Sequence, residues 1–217
     1  MERFVMIDEI SDGQLYGRDD PVRLDANGCH GCSFCCENMC DTIVLDPWDI
    51  FHLSACLGKN FAALLTEGYI EIGLHDLLTL PNIRDAGEGC GFLTKEKRCG
   101  IHASRPGICR LFPLGRYYHD DGFSYILQTG ECRVEERSKK RIRDWLEIED
   151  LERYEDYVLR WHDLIRTWRE FMKEDNPVEA KRKLNIMLLR MFYEKEYETD
   201  KDFYEQFDAR LQAWQNL

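Results

Sequence analysis

The sequence predicts an α+β fold: a small, loop-rich domain of short hairpins and helices, followed by a helical extension. Three observations predict it. All ten cysteines lie between Cys29 and Cys132. Up to about residue 130, short β-prone runs alternate with turn signals and brief helix starts. Beyond about 135 the apolar residues recur with helical spacing. The expected organisation is a cysteine-bearing domain over 1–146 and a helical extension over 147–217 packed on it.

The chain has 217 residues, enough for one sizeable core or a compact domain with an extension. Its apolar content of 44% is that of a globular protein. The net charge of −12 argues against a nucleic-acid backbone or an anionic membrane as partner. The segment from Met1 to Ile10 does not have the pattern of a secretory leader, and no apolar run approaches the ~20 residues that span a bilayer. A cytoplasmic location is therefore expected. In that reducing compartment ten cysteines are not disulfides, and their confinement to one stretch suits a metal site better than a scaffold of staples.

Residues 1–28 read as a turn-rich ribbon: Ser11-Asp12-Gly13, Gly17 to Pro21 and Ala26-Asn27-Gly28 punctuate brief extended pieces. Thr42 to Leu45 is a short β-prone run. Asp46-Pro47-Trp48-Asp49 starts a helix with a cap, a proline at the first position and an acid at the positive end. Ile50, Leu53 and Leu57 give its buried stripe and Gly58 ends it. Cys56, on this helix, reads as a small core residue. Asn60 to Glu67 is a second helix, stopped by Gly68. Ile70–Ile72 and Leu77–Leu80 are β-prone. Cys90-Gly91-Phe92-Leu93 and Cys99-Gly100-Ile101-His102 flank a small knuckle. Ser104-Arg105-Pro106 reads as the cap of a short helical turn carrying Cys109. Gly115–Tyr118 and Phe123–Leu127 are the arms of a hairpin turning at His119–Gly122.

From about 135 onward the pattern reads as helix throughout. Tyr154, Val158, Trp161, Ile165, Trp168 and Met172 are spaced 4-3-4-3-4, with Tyr157, Leu164 and Phe171 beside them. That is a wide apolar face, expected to be core. Asn176-Pro177-Val178-Glu179 begins another helix with a cap and a capping-box acid. Leu184, Leu188 and Met191 line its inner face. Phe203, Phe207, Leu211 and Trp214 mark a last one.

The chemistry lies in the cysteines. Cys29-His30-Gly31-Cys32-Ser33-Phe34-Cys35-Cys36, with Cys40, puts five thiols into twelve residues. Packing has no use for such a run, whereas soft metals and iron–sulfur clusters do. Cys29-x2-Cys32-x2-Cys35 matches the opening of a ferredoxin ligand run, but the continuation through Cys36 and Cys40 does not. In an extended backbone Cys35 and Cys36 point to opposite sides and would serve different centres. Cys90, Cys99, Cys109 and Cys132 supply further thiols. Setting aside Cys40 and Cys56, eight thiolates are available. That number suits two four-thiolate sites: two [4Fe–4S] clusters, a cluster and a Zn2+, or two Zn2+. Arg105 and Arg110, flanking Cys109, and His102 are placed to offset the charge of such a centre. His102 is not needed as a ligand because thiols suffice. His52, His75, His119 and His162 are scattered.

These blocks resemble a known family. Cys29-x2-Cys32-x2-Cys35-Cys36, Leu45-x-Pro47-x-Asp49-Ile50, Cys90-x-Phe92-Leu93 and Cys99-x-Ile101-His102-x2-Arg105-Pro106-x2-Cys109-Arg110-x-Phe112-Pro113 occur in order. They are similar to the YkgJ-like CxxCxxCC cysteine-cluster family, described as a putative zinc- or iron-chelating domain. The likeness runs from about Asn27 to Trp145. Flagellin lysine N-methylases are similar in the same blocks. The resemblance implies a metal or iron–sulfur centre ligated by Cys29, Cys32, Cys35, Cys36, Cys90, Cys99, Cys109 and Cys132. Cys40 and Cys56 fall outside its pattern.

Three functions follow as expectations: an iron–sulfur protein with a redox or enzyme-accessory role and an unknown protein or redox partner, a structural zinc module, or a methyltransferase-related enzyme by analogy. The sequence has no G-x-G-x-x-G cofactor loop, nucleophile elbow or H-E-x-x-H helix.

Overall fold

The computed structural model describes residues 6–25, 32–37, 42–87, 89–134 and 136–216. The fold is mixed α+β, with three separate antiparallel strand pairs in front and helices behind.

The N-terminal part holds a helical turn, α1 (Ile7–Ile10), then β1 (Pro21–Asp25) and the short α2 (Phe34–Glu37). Next comes α3 (Pro47–Leu57), which starts as its sequence demands. Asp46 Oδ1 accepts from Asp49 N at 2.9 Å, and Asp49 Oδ2 accepts from Asp46 N at 3.0 Å. Gly58, at φ 62°, closes the helix in the left-handed region that glycine tolerates. Helix α4 (Phe61–Thr66) is capped by Asn60. It leads into β2 (Ile70–His75) and β3 (Leu78–Ile83). The Ile43–Leu45 segment joins β3 from the other side, through Leu45 N to Pro81 O at 2.9 Å and Ile83 N to Ile43 O at 3.0 Å.

A 3-10 turn over His102–Ser104 precedes α5 (Gly107–Leu111), followed by β4 (Leu114–His119) and β5 (Gly122–Leu127). The hairpin closes with Asp120-Asp121 as its loop, between His119 and Gly122. Tyr16 exchanges backbone hydrogen bonds with Tyr125, attaching the N-terminal ribbon to it.

Four expectations need correction here. Residues 138–141 are not helical: they form β6 (Ser138–Arg141), paired with β1, and helix begins only at α6 (Ile142–Leu146). Ser-Lys-Lys-Arg carries no apolar alternation, and its conformation is set by the ladder partner. Ser104 does not cap α5. Pro106 holds the cap position without a side-chain bond, and the first helical N–H, on Gly107, goes instead to Asp49. Asn176 does not cap its helix either: it donates to Phe171 O, and Pro177 takes the cap position. Cys56 is exposed, not core. Helix α3 buries Trp48, Ile50 and Leu53, and in its last turn Leu57 packs against the core while Cys56 faces outward.

Behind these lie α7 (Leu151–Lys173), α8 (Val178–Leu189) running into a π-turn over Arg190–Glu194, and α9 (Phe203–Gln215). The aromatic face of α7 packs as the periodicity requires, with Tyr157 meeting Phe207 edge-on at 4.7 Å between ring centroids. The helices grip the front directly. Trp48 N donates to Tyr157 Oη at 3.2 Å, Tyr193 Oη donates to Leu45 O at 3.0 Å, and Thr79 N donates to Asn185 Oδ1 at 2.7 Å. One continuous cluster of buried residues reaches from Val22 to Phe207. Among the described residues no helix is long and apolar enough to cross a membrane.

Candidate metal centre

Helix α2 presents Cys35 and Cys36 on one short helical turn, held by Cys36 N and Glu37 N to Ser33 O. Successive residues there are about 100° apart, not opposed as in a strand. Their thiols hydrogen-bond to each other. The expectation that this pair faces two ways is therefore overturned by the helical backbone. The Cys36 thiol donates and is pushed up, and Cys35, which accepts, is lowered to about 7.

A second loop clasps α2. Cys90 N donates to Cys36 O at 2.7 Å, and Lys97 Nζ meets Glu37 Oε1 at 2.9 Å. The approach is so close that a Cβ on Gly89, at φ 117°, would lie 2.8 Å from Cys36 O. Within this loop the two Cys-Gly pairs make the same turn. The N–H of Phe92 reaches the Cys90 thiol, and that of Ile101 reaches the Cys99 thiol. Gly100 N donates to Phe92 O at 2.8 Å and locks the turns together. Each N–H stabilises a thiolate, although burial, the largest influence, raises both thiols.

The third contributor is Cys109 on α5. Its thiol is pushed well up by burial, then by the charge of Asp49 and by Cys90, Cys99 and Cys35. Cys35, Cys36, Cys90, Cys99 and Cys109 thus lie within one another's fields, although they come from three segments. Cys32 is exposed. Cys132 is partly buried, and the next residue, Arg133, sets its guanidinium 3.7 Å from the centroid of the Phe34 ring, which lays that segment against α2. Cys29, His30 and Cys40 lie outside the described residues. Among the described residues no three His, Cys, Asp or Glu side chains stand in a metal-binding group.

The charged neighbours differ in their placement. The charge of Arg105 favours the thiolates of Cys35 and Cys99, and its guanidinium is anchored by His102 O at 3.0 Å and Glu147 Oε2 at 3.2 Å. Arg110 is buried, with its donors on backbone carbonyls: Arg105 O, Ala103 O, Leu146 O and Glu147 O. It ties α5 to the end of α6. His102 is exposed, its ring nitrogens against Arg105.

Asp49 is the residue that local reading only half found. It closes the capping box of α3 with Oδ2, and its Oδ1 accepts from Gly107 N at 2.7 Å. One buried carboxylate thereby caps two helices, the second of which carries Cys109 two residues on. Burial and the neighbouring Asp46 hold its pKa well above the usual carboxylate range. The Tyr154 hydroxyl covers the same spot, 2.1 Å from where a Cβ on Gly107 would sit. A capping box announces the first bond, but no sequence signal announces the second.

Soft donors from three segments, supported by N–H groups and a cation, define the class: a cysteine-rich domain suited to binding metal. Residues 28–133 match the model of the CxxCxxCC family, described as a putative zinc- or iron-chelating domain. No curated protein and no solved structure matches the chain.

Proposed function

We propose that residues 29–132 hold iron–sulfur chemistry, as one or two [4Fe–4S] clusters, in a redox or enzyme-accessory role. The observation that carries this is that the segments bearing Cys35, Cys36, Cys90, Cys99 and Cys109 pack close enough for these thiols to perturb one another, with Cys90 N on Cys36 O at 2.7 Å and the Cys132–Arg133 segment against Phe34. Five thiols exceed the four that a structural zinc takes. Cys132, together with Cys29 and Cys32 from the first cysteine loop, brings the total to eight. A cluster bound there would supply one-electron transfer. The chain's own part is to hold the sulfurs, to donate N–H from Phe92 and Ile101, and to set Arg105 beside Cys35 and Cys99. A structural zinc is the second reading, favoured by the paired Cys-Gly turns, which suit a tetrahedral thiolate site equally well.

Analysis of iron, acid-labile sulfide and zinc in anaerobically purified protein tests this. Iron and sulfide in equal amount, with absorption near ~400 nm, are expected. Stoichiometric zinc without sulfide would overturn the cluster.

A further inference from the structure

The β1–β6 ribbon is the stem of the site. Strand β1 ends at Asp25, which pairs with Ser138, the first residue of β6. From that end the chain runs on to Cys29 and Cys32 on one side and comes in from Cys132 on the other. Arg23 and Lys139 stand directly opposite each other on the ribbon, and both are exposed. Like charges in that position cost stability. Neither is in an ion pair among the described residues, although the chain has 41 acids to 29 bases. Nearby Arg141 and Arg143 are met by Asp144 at 2.8 Å and Asp19 at 2.7 Å. Arg137, just before β6, keeps Nε and Nη1 buried with no hydrogen-bond partner.

We propose that this outer face of the ribbon docks a protein partner presenting clustered carboxylates, beside the cysteine loops. Charge complementarity selects that partner. A long polyanion, nucleic acid or membrane, would also meet the remaining surface of a protein with net charge −12. A compact acidic patch meets the ribbon alone. The docking stands whichever metal the cysteines hold.

The test is fluorescence anisotropy with a labelled deca-glutamate peptide at low and at physiological salt. Wild type should bind, more weakly as salt rises, and R23E/K139E should bind roughly tenfold or more weakly. R166E, on α7, should bind as wild type does. R23E alone places a carboxylate opposite Lys139, so it should melt no lower than wild type and still bind less, which separates docking from folding. Should R23E/K139E fail to fold by circular dichroism, R23Q/K139Q takes its place. Absence of binding by wild type, or equal binding by the variants, overturns the proposal. So does tighter, Arg23-dependent binding of phosphatidylserine vesicles or duplex DNA than of the peptide.

Discussion

Asp49→Ala tests the link between scaffold and site most directly. The carboxylate accepts from Gly107 N at 2.7 Å and Asp46 N at 3.0 Å, and the residue is 3% exposed. Removing it leaves the buried Gly107 N–H and the half-buried Asp46 N–H without their acceptor. A buried donor left unmet costs about 1–3 kcal/mol, and a lost cap costs about 0.5–2 kcal/mol. Against this, the truncation relieves the repulsion between Asp46 and Asp49 and the burial of a charge, both of which raise the Asp49 pKa. The net loss is about 2–4 kcal/mol, a fall of roughly 1 M in the urea midpoint at a slope typical of small domains. Because Gly107 opens the helix that carries Cys109, metal content should fall as well. Asp49→Asn keeps one acceptor but turns a donor toward the other N–H, and should lose about half as much. A midpoint within 0.2 M of wild type and full metal content in Asp49→Ala would refute the reasoning.

Four further outcomes are expected. Burial, then the charge of Arg110, lowers His52 from 6.5 to about 4. Below pH 6.5 the unfolded chain takes up a proton that the fold refuses, so stability falls between pH 6.5 and 4 by as much as about 3 kcal/mol. Urea titrations of His52→Gln should show a flatter profile in that window. Gly107→Ala drives a methyl into Tyr154 Oη and should cost about 3 kcal/mol or more. Tyr154→Phe in the same chain should restore part of it, as read by thermal unfolding. Leu77 holds φ 72° in the two-residue turn between β2 and β3, so Leu77→Gly should raise stability by about 1 kcal/mol. Cys109→Ala should lose metal by elemental analysis, while Cys56→Ala, exposed at the end of α3, should keep it.

The sequence by itself determined whatever is encoded within a few residues. Asp46-Pro47-x-Asp49 and Gly58 bound α3, and Asn60 starts α4. The turn at His119–Gly122 makes the β4–β5 hairpin, and the 4-3 spacing from Tyr154 to Met172 gives α7 its buried face. Caps, turns and periodicity act through local dihedrals and one helix face, so neighbouring residue types suffice to read them. The spacing of the cysteines disclosed a metal chemistry for the same reason. Tertiary structure decided what depends on distant partners. Ser138–Arg141 is a strand because β1 lies beside it. Cys35 and Cys36 face together because α2 is helical and Cys36 O is held by Cys90 N. The cap of α5 comes from Asp49, 58 residues earlier in the chain. Such contacts are chosen by the sum of packing and hydrogen bonding across the whole fold, and no short window of sequence contains that sum.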